Sequence, residues 1–284
     1  MRLCEAGYGI QVARRRTRIR TELSDRAFFD APAPLAFAHR GFSLEGLENS
    51  MTAFSAAVAL GYRYLETDVR ATRDGVALAF HDPTLDRVTD RSGCVAELDW
   101  AEVSQARIGG KEPIARLDDL LDAWPHVRLN IDVKDLAAVA PLAEALERTR
   151  AHDRVCVASF SDRRRRDVLR RLSAPVATSG GRWTVAGFRL AASPARVAAL
   201  VARTLQDVDC LQVPERAGPV RLVTAATVAA AHAAGKQVHV WTVNEKPRMH
   251  RLLDLGVHGL VTDQAPMLRD VLRTRGAWSG PVAP

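Results

Sequence analysis

Three acidic residues occupy positions where carboxylates are costly to bury. Glu66 and Asp68 lie two residues apart in a run typical of a buried strand, and Asp132 lies in a second such run. Strand side chains alternate between faces, so Glu66 and Asp68 share one face. Three oxygen ligands without cysteine or paired histidine suit a hard divalent cation, Mg²⁺ or Ca²⁺, better than zinc. The pattern predicts a metal site. The alternative is an ion-pair network with nearby cationic residues: Arg40, Arg70 and Lys134.

Two histidines accompany these carboxylates. His39 and His81 each follow a run typical of a strand. Histidine titrates near neutral pH, so a pair can divide general base and general acid work between the two sides of a leaving group. Arg40 offers a planar fork for phosphate, and Lys134 offers a point charge. A metal, two histidines, an arginine and a lysine together indicate cleavage of a phosphodiester.

These residues need a scaffold that gathers strand ends at one place. From residue 35 to 263, short β-branched runs alternate with helical stretches, as in repeated βα units around a parallel sheet. We therefore predict an α/β fold, a TIM-type (β/α)8 barrel, with reacting groups at the C-terminal ends of the strands. Nine strand candidates compete for eight places: 35–38, 64–69, 76–80, 128–133, 155–159, 176–179, 210–213, 238–243 and 259–262. The helix candidates are 50–60, 117–123, 136–150, 161–172, 194–205, 222–234 and 245–255.

The chain divides into three predicted segments. Residues 1–30 form a basic, flexible N-terminal arm, residues 31–275 the catalytic barrel, and residues 276–284 a flexible C-terminal tail. The stretch 82–116 exceeds the length of an ordinary βα loop and predicts an extended loop or insertion after the third strand.

Composition narrows the function classes. A chain of 284 residues with 47% hydrophobic residues can bury a sizeable core, which excludes disordered and disulfide-stapled classes. Residues 1–26 carry seven arginines and three acidic residues, so more than half of the net charge of +7 lies there. We expect no nucleic-acid partner and no transmembrane segment, while peripheral membrane contact remains open. Four cysteines without a close pair, at 4, 94, 156 and 210, predict reduced thiols and a cytoplasmic protein. The sequence does not predict the oligomeric state.

An ordered set of motifs resembles the glycerophosphodiester phosphodiesterase family, within the PLC-like phosphodiesterase superfamily. The resemblance covers essentially residues 35–268. Its motifs are His39-Arg40-Gly41, Glu48-Asn49-Ser50, Glu66-Thr67-Asp68-Val69, Asp74-Gly75, His81-Asp82, Asn130-Ile131-Asp132-Val133-Lys134, Trp241-Thr242-Val243-Asn244 and Thr262-Asp263.

The resemblance implies a barrel that hydrolyses glycerophosphodiesters to an alcohol and sn-glycerol 3-phosphate with a divalent metal. The roles it implies are an acid–base pair in His39 and His81, metal ligands in Glu66, Asp68 and Asp132, phosphate contacts in Arg40 and Lys134, a pocket-lining Trp241, and supporting contacts from Glu48 and Asn49.

The chain departs from the family pattern at two positions. Most members have glutamate where this chain has Asp132, although sphingomyelinase-D-like relatives resemble it in using aspartate. Ser50 replaces the usual threonine and keeps a hydroxyl. Two alternative functions follow: a lysophospholipase D or a cyclising phosphodiesterase (lyase), and, from another class, a catalytically silent barrel that binds lipid or nucleic acid. The intact histidines and carboxylates argue against the silent barrel.

Overall fold

Eight parallel strands form a nearly closed barrel. The computed structural model describes residues 26–43, 45–192, 198–278 and 280, so the predicted arm up to residue 25 and most of the predicted tail lie outside the described residues. The barrel strands, in chain order, are β1 Leu35–His39, β2 Tyr64–Ala71, β3 Arg128–Val133, β4 Val155–Ala158, β5 Ala177–Thr178, β6 Cys210–Pro214, β7 Gln237–Trp241 and β8 Gly259–Thr262. Neighbours in chain order pair from β1 to β5 and from β6 to β8, and β8 pairs with β1. A single parallel bridge from Ser179 to Cys210 joins β5 to β6. The predicted barrel is confirmed.

The ninth strand candidate is not a barrel strand. Ala77–Ala79 pairs antiparallel with the end of β2, with Val69 opposite Ala79 and Ala71 opposite Ala77. A parallel return needs a crossover of a dozen or more residues, which the short connection at 72–76 cannot supply, so the chain turns back as a hairpin. The extended segment 82–116 therefore follows this hairpin and not the third barrel strand.

Helices surround the barrel and the extended segment has its own small elements. The helices are α1 Met51–Ala59, α2 Trp100–Val103, α3 Leu117–Ala123, α4 Val139–Thr149, α5 Asp162–Leu169, α6 Arg182–Ala191, α7 Ala198–Thr204, α8 Ala225–Ala233, α9 Lys246–Asp254 and α10 Ala265–Thr274. Short 3-10 turns occur at Ala27–Phe29, Val95–Glu97 and His152–Arg154. Two small hairpins pair Arg107–Ile108 with Glu112–Pro113 and Arg216–Ala217 with Val220–Arg221. None of the described helices has the length and hydropathy needed to span a membrane.

The core lies in two layers. Outward-facing strand side chains such as Leu65 and Ile131 pack against the helices and are fully buried. Inside the barrel, Phe28 and Phe29 of the Ala27–Phe29 turn pack with Phe37 and other apolar side chains. Each large apolar side chain buried in this way contributes about 1.5–3 kcal/mol. One end of the barrel is thus filled by aromatic rings, and the other end is left to polar groups.

Candidate active site

A pocket of about 450 Å³ opens at the C-terminal ends of the barrel strands. Eight of the ten candidate residues line it: His39, Arg40, Glu66, Asp68, His81, Asp132, Lys134 and Trp241. The strand register explains why these side chains lie together. His39 on β1 lies opposite Glu66 on β2, and Asp68 on β2 lies opposite Asp132 on β3. The two remaining candidates, Glu48 and Asn49, bond to Arg40 and Asp68 from behind.

Asp68 is the most enclosed carboxylate of the pocket, with 1% of its surface exposed. Its Oδ1 lies 2.7 Å from Lys134 Nζ, and its Oδ2 lies 3.0 Å from Arg40 Nε. Burial alone would raise the pKa of Asp68, but Lys134 and Arg40 outweigh it and lower that pKa. Asp68 is therefore an anion at neutral pH.

Lys134 bridges two strands through its ammonium group. Its Nζ lies 2.7 Å from Asp132 Oδ2 as well as from Asp68, and these carboxylates raise the pKa of Lys134 against the effect of burial. An ammonium has three donors, so one remains for a third acceptor in the pocket. The other oxygen of Asp132, Oδ1, is buried and has no hydrogen-bond partner among the described residues.

Glu66 behaves differently from Asp68 although both lie on one face of β2. Burial and the neighbouring Asp68 charge raise the pKa of Glu66 to about 7. Its Oε2 accepts a hydrogen bond of 3.1 Å from the backbone N–H of Arg40, a residue in the left-handed region with φ +53°. Glu66 is thus a buried carboxylate that lacks full compensation from the protein.

The chemistry of these carboxylates fits a divalent cation. Among the described residues, however, no three acidic, histidine or cysteine side chains are close enough together to coordinate a metal ion as they stand. The partnerless Oδ1 of Asp132 needs an electropositive partner, since an unsatisfied buried oxygen costs free energy. A nearby cation would also lower the raised pKa of Glu66. Three carboxylates without cysteine or histidine are the donors that Mg²⁺ and Ca²⁺ prefer.

His39 is held by a carboxylate from the far end of the chain. Its Nδ1 lies 2.6 Å from Asp263 Oδ1, and Asn244 Nδ2 donates to Asp263 Oδ2 at 2.7 Å. Burial lowers the pKa of His39, but Glu66 and Asp263 outweigh burial and the pKa is raised. Asp263 and Asn244 belong to the motifs quoted above, yet the sequence did not assign them to the site.

His81 is also held by a carboxylate. Its Nδ1 lies 2.5 Å from Asp82 Oδ1, and Asp82 is in turn bonded to Arg87. The antiparallel strand Ala77–Ala79 runs back along β2, and Phe80 N donates to Asp68 O, so His81 returns to the level of the β2 carboxylates. His81 therefore reaches the pocket from a hairpin and not from the end of a barrel strand.

Glu48 connects the two sides of the site. It accepts from Arg40 Nη1 at 2.8 Å and from Arg87 Nη2 at 2.6 Å. Burial would raise the pKa of Glu48, but Arg87 and Arg40 lower it overall. Glu48 thus links the arginine beside His39 to the arginine that holds Asp82, the partner of His81.

Asn49 orients Asp68 through both ends of its amide. Its Nδ2 donates to Asp68 Oδ2 at 3.2 Å, and its Oδ1 accepts from Thr67 Oγ1 at 2.8 Å. Asn49 has φ +60° and is 1% exposed. The next residue, Ser50, caps α1 by accepting from Ala53 N, so the hydroxyl is retained with a structural role.

The opposite wall of the pocket is mostly apolar, with the guanidinium of Arg182 over the ring of Phe160. Trp241 packs edge-on against Phe160, with ring centroids 5.6 Å apart. Val185, Val213 and Leu222 continue this wall. The pocket therefore has a charged half that suits a phosphate and an apolar half that suits a less polar group attached to it.

Comparison with known proteins decides the family. A model of the glycerophosphoryl diester phosphodiesterase family matches residues 39–266, which is most of the chain. The chain belongs to this family. It is accordingly an enzyme, a phosphoric diester hydrolase of the glycerophosphodiester phosphodiesterase type.

Curated relatives agree with this assignment. The chain is 49% identical over 247 residues to the "Probable glycerophosphodiester phosphodiesterase 2" of Mycobacterium tuberculosis, covering 87% of this chain and 93% of that protein. It is 27% identical to the glycerophosphodiester phosphodiesterase of Caldanaerobacter subterraneus, covering 85% of this chain and 99% of the relative. Human lysophospholipase D is 26% identical, with 84% of this chain and 86% of the relative covered.

Solved structures of family members share the fold. A glycerophosphoryl diester phosphodiesterase structure from Silicibacter pomeroyi superposes with a TM-score of 0.72 at 24% identity, covering 87% of this chain and 96% of the other. An Oleispira antarctica phosphodiesterase in complex with the product sn-glycerol-3-phosphate superposes with a TM-score of 0.71 at 22% identity, covering 85% and 97%. The barrel of this glycerophosphodiester phosphodiesterase is thus the family's barrel.

Proposed function

We propose that this phosphodiesterase cleaves glycerophosphodiesters by acid–base catalysis with His39 and His81, in the presence of Mg²⁺ or Ca²⁺. The supporting observation is that each histidine has a carboxylate at Nδ1, at 2.6 Å from Asp263 and 2.5 Å from Asp82, within one pocket. A carboxylate at Nδ1 orients the ring and leaves Nε2 for proton transfer.

The two histidines take opposite roles in the proposal. His39 accepts the proton of the attacking hydroxyl, and its raised pKa makes it a stronger base than an ordinary histidine. His81 donates a proton to the oxygen of the leaving alcohol as the phosphorus–oxygen bond breaks. With water as the attacking group the products are an alcohol and sn-glycerol 3-phosphate. Attack by the substrate's own glycerol hydroxyl would instead give a cyclic phosphate, which is the alternative reaction.

The remaining side chains bind the phosphate and the cation. Lys134 has one ammonium donor free of Asp68 and Asp132, and that donor can bind a phosphate oxygen. Arg40 adds positive charge from the same side, and Trp241 supports the alcohol on the apolar wall. Glu66, Asp68 and Asp132 would hold the metal, which when bound supplies positive charge against the phosphate oxygens.

Product analysis with histidine variants tests this proposal. The purified enzyme is incubated with a panel of glycerophosphodiesters, with and without a chelator, while glycerol 3-phosphate is measured enzymatically and cyclic phosphate by ³¹P NMR. We expect chelation to abolish turnover and His39→Ala or His81→Ala to lower it by about 10²–10⁴-fold. A 4-nitrophenyl ester needs little protonation on leaving, so it should rescue His81→Ala more than His39→Ala. Full activity after exhaustive chelation, or rescue of His39→Ala alone, would contradict the proposal.

We also propose that the enzyme is located in the cytoplasm. The three described cysteines, Cys94, Cys156 and Cys210, form no disulfide, and Cys4 lies outside the described residues. Unpaired thiols are usual in a reducing compartment, which supports placement of the enzyme in the cytoplasm.

A further inference from the structure

The surface beside the pocket mouth combines large apolar side chains with arginines. Helix α6 exposes Trp183 at 83% and Leu190 at 66%, and the neighbouring hairpin exposes Val220 at 45%. Arg189 Nε donates to Arg221 O, so the helix and the hairpin are in contact. We call this surface the rim. It consists of Trp183, Leu190, Val220, Arg182, Arg189, Arg216 and Arg221.

The rim has positive charge that the protein leaves uncompensated. Its sequence segments 182–192 and 216–222 contain four arginines and no acidic residue. None of these arginines forms an ion pair with a described carboxylate. The arginines of the neighbouring helix α5, by contrast, do form ion pairs: Arg163 with Asp167 and Arg166 with Asp207. The nearest acidic residue to the hairpin, Glu215, is taken by Arg248 and Arg251.

The rim is continuous with the apolar wall of the pocket. Val185 and Ala186 of the same helix line the pocket, as do Ala217 and Leu222 beside the hairpin. The elements that expose apolar side chains to solvent therefore also form the apolar half of the substrate pocket. A molecule that leaves a lipid surface at the rim would reach the charged half without crossing open water.

We propose that the rim docks this enzyme on the surface of an anionic phospholipid bilayer. Tryptophan and leucine insert into the interfacial region, while the arginines contact anionic headgroups. Each arginine near the surface raises the affinity for the membrane about fivefold. An exposed apolar surface of this kind in a monomer commonly marks an interaction site. The inference goes beyond the proposed function and uses it only for the position of the substrate pocket.

Two other occupants fit the rim less well. A second copy of the chain would bring four unpaired arginines against four more, and like charges across an interface are unfavourable. A nucleic acid would pair with the arginines, but Leu190 and Val220 would gain nothing from a phosphate backbone. A bilayer satisfies the charge and the apolar side chains together.

Vesicle sedimentation with the full chain tests this docking. Vesicles of phosphatidylcholine alone are compared with vesicles of equal parts phosphatidylcholine and phosphatidylglycerol, at low and high salt. We expect binding to the anionic vesicles only, weakened by salt. The double variant Trp183→Ser/Leu190→Ser should lower the apparent affinity about tenfold or more, and Arg216→Gln/Arg221→Gln by about an order of magnitude.

The controls separate docking from folding and from catalysis. The control variant Arg171→Gln/Arg273→Gln removes two exposed arginines, one just after α5 and one in the last turn of α10. Both lie at the barrel end opposite the pocket mouth, so this variant should bind vesicles as the wild type does. Turnover of a soluble glycerophosphodiester should stay unchanged in Trp183→Ser/Leu190→Ser, because neither side chain lines the pocket. Vesicle binding is measured without turnover, so failure of docking and failure of the proposed chemistry are distinguishable.

Four results would overturn the proposal. The wild type could stay in the supernatant of anionic vesicles, or both rim variants could bind as the wild type does, which would place binding elsewhere in the chain. A concentration-dependent dimer in light scattering that Trp183→Ser/Leu190→Ser abolishes would make the rim a contact between copies. Loss of duplex-DNA binding in Arg216→Gln/Arg221→Gln, with vesicle binding intact, would make it a nucleic-acid surface.

Discussion

The two oxygens of Asp132 differ in a way that permits a clean test. Oδ2 bonds to Lys134 at 2.7 Å, and Oδ1 is buried without a partner among the described residues. If Oδ1 is a metal ligand, Asp132→Glu moves the carboxylate by about 1.5 Å and should change metal affinity or preference with the fold intact. Asp132→Asn should weaken metal binding because it removes the charge. Metal-dependent activity is measured beside the melting temperature for both variants, and unaltered metal titrations in both would remove Asp132 from the ligand set.

Asp263 sets the basicity of His39 at a distance of 2.6 Å. Its negative charge contributes to the raised pKa of His39, so Asp263→Asn should lower that pKa. A base works when deprotonated, and the rising limb of kcat/KM against pH should therefore move to lower pH. Turnover at the optimum should fall about tenfold or more, because a weaker, less well oriented base transfers the proton less readily. Asp254→Asn, an exposed carboxylate bonded to Arg275, is the control, and an unmoved limb in Asp263→Asn would refute the role.

The sequence predicted that the carboxylates, the histidines, Arg40 and Lys134 belong to the pocket, but it predicted neither Arg182, which also lines the pocket, nor the partner of His39. Residues His39 and Asp263 are separated by 224 positions. They meet only because β8 pairs with β1 and closes the barrel, with Ala38 opposite Thr262. Local spacing contains no information about that closure. The residue type at 263 was visible as part of a motif, whereas its contact depended on the completed fold.

At the scale of elements, the turn between β1 and α1 depends on a glycine. Gly41 has φ +82°, and a Cβ there would lie 2.7 Å from the backbone of Ala53 in α1. Gly75, in the turn after β2, has a similar φ of +83° with open space around it. Gly75→Ala should cost about 1 kcal/mol in backbone strain. Gly41→Ala should cost about 3 kcal/mol or more, because the helix must move as well.

The comparison of the two glycines isolates the collision with α1. Denaturant unfolding measures the stability of both variants, and phosphate-ester turnover reports on His39 and Arg40 directly before the turn. We expect turnover to fall in Gly41→Ala and to persist in Gly75→Ala. Equal losses of stability in the two variants would show that α1 does not constrain the turn.

Helix α6 shows where prediction from sequence failed at this scale. Its N-terminus is capped by Asp162, whose carboxylate accepts from Gly181 N, Trp183 N and Thr184 N. That cap comes from α5, about twenty positions earlier in the chain, and the adjacent residue Gly181 offers no side chain. The antiparallel strand Ala77–Ala79 was detected as a strand, but its direction followed from the short turn and not from its apolar pattern.

At the scale of the whole molecule, a histidine inside the barrel limits stability in acid. His239 on β7 is fully buried, and burial together with His258 lowers its pKa to about 3. An unfolded histidine takes up its proton near pH 6.5, so between that pH and about 3 the unfolded state holds more protons. The free energy of unfolding should fall with decreasing pH by about 1.4 kcal/mol per pH unit from this group.

Replacement of His239 tests this acid sensitivity. His239→Gln should flatten the pH dependence of the free energy of unfolding below pH 6.5 by about that slope, whatever it does to stability at neutral pH. Denaturant unfolding over a pH series provides the measurement. His126→Gln, at an exposed position, should leave the slope unchanged. A slope that is equally steep in His239→Gln would assign acid sensitivity to other groups.

The seam between β5 and β6 has the fewest paired residues of any two neighbouring strands in the barrel. Of the described residues, only Ser179 and Cys210 are bridged there, with backbone hydrogen bonds from Asp209 N to Thr178 O and from Gly180 N to Cys210 O. The side chains of Asp209 and Ser179 add two more bonds, to Thr178 N and Gln212 N. Six residue pairs join β2 to β3, which carry the carboxylates. Amide hydrogens at the seam should therefore exchange with deuterium faster than those of β3. Thermal opening would then widen the pocket on its apolar side, between α6 and the hairpin, while the distances among Glu66, Asp68 and Asp132 stay constant.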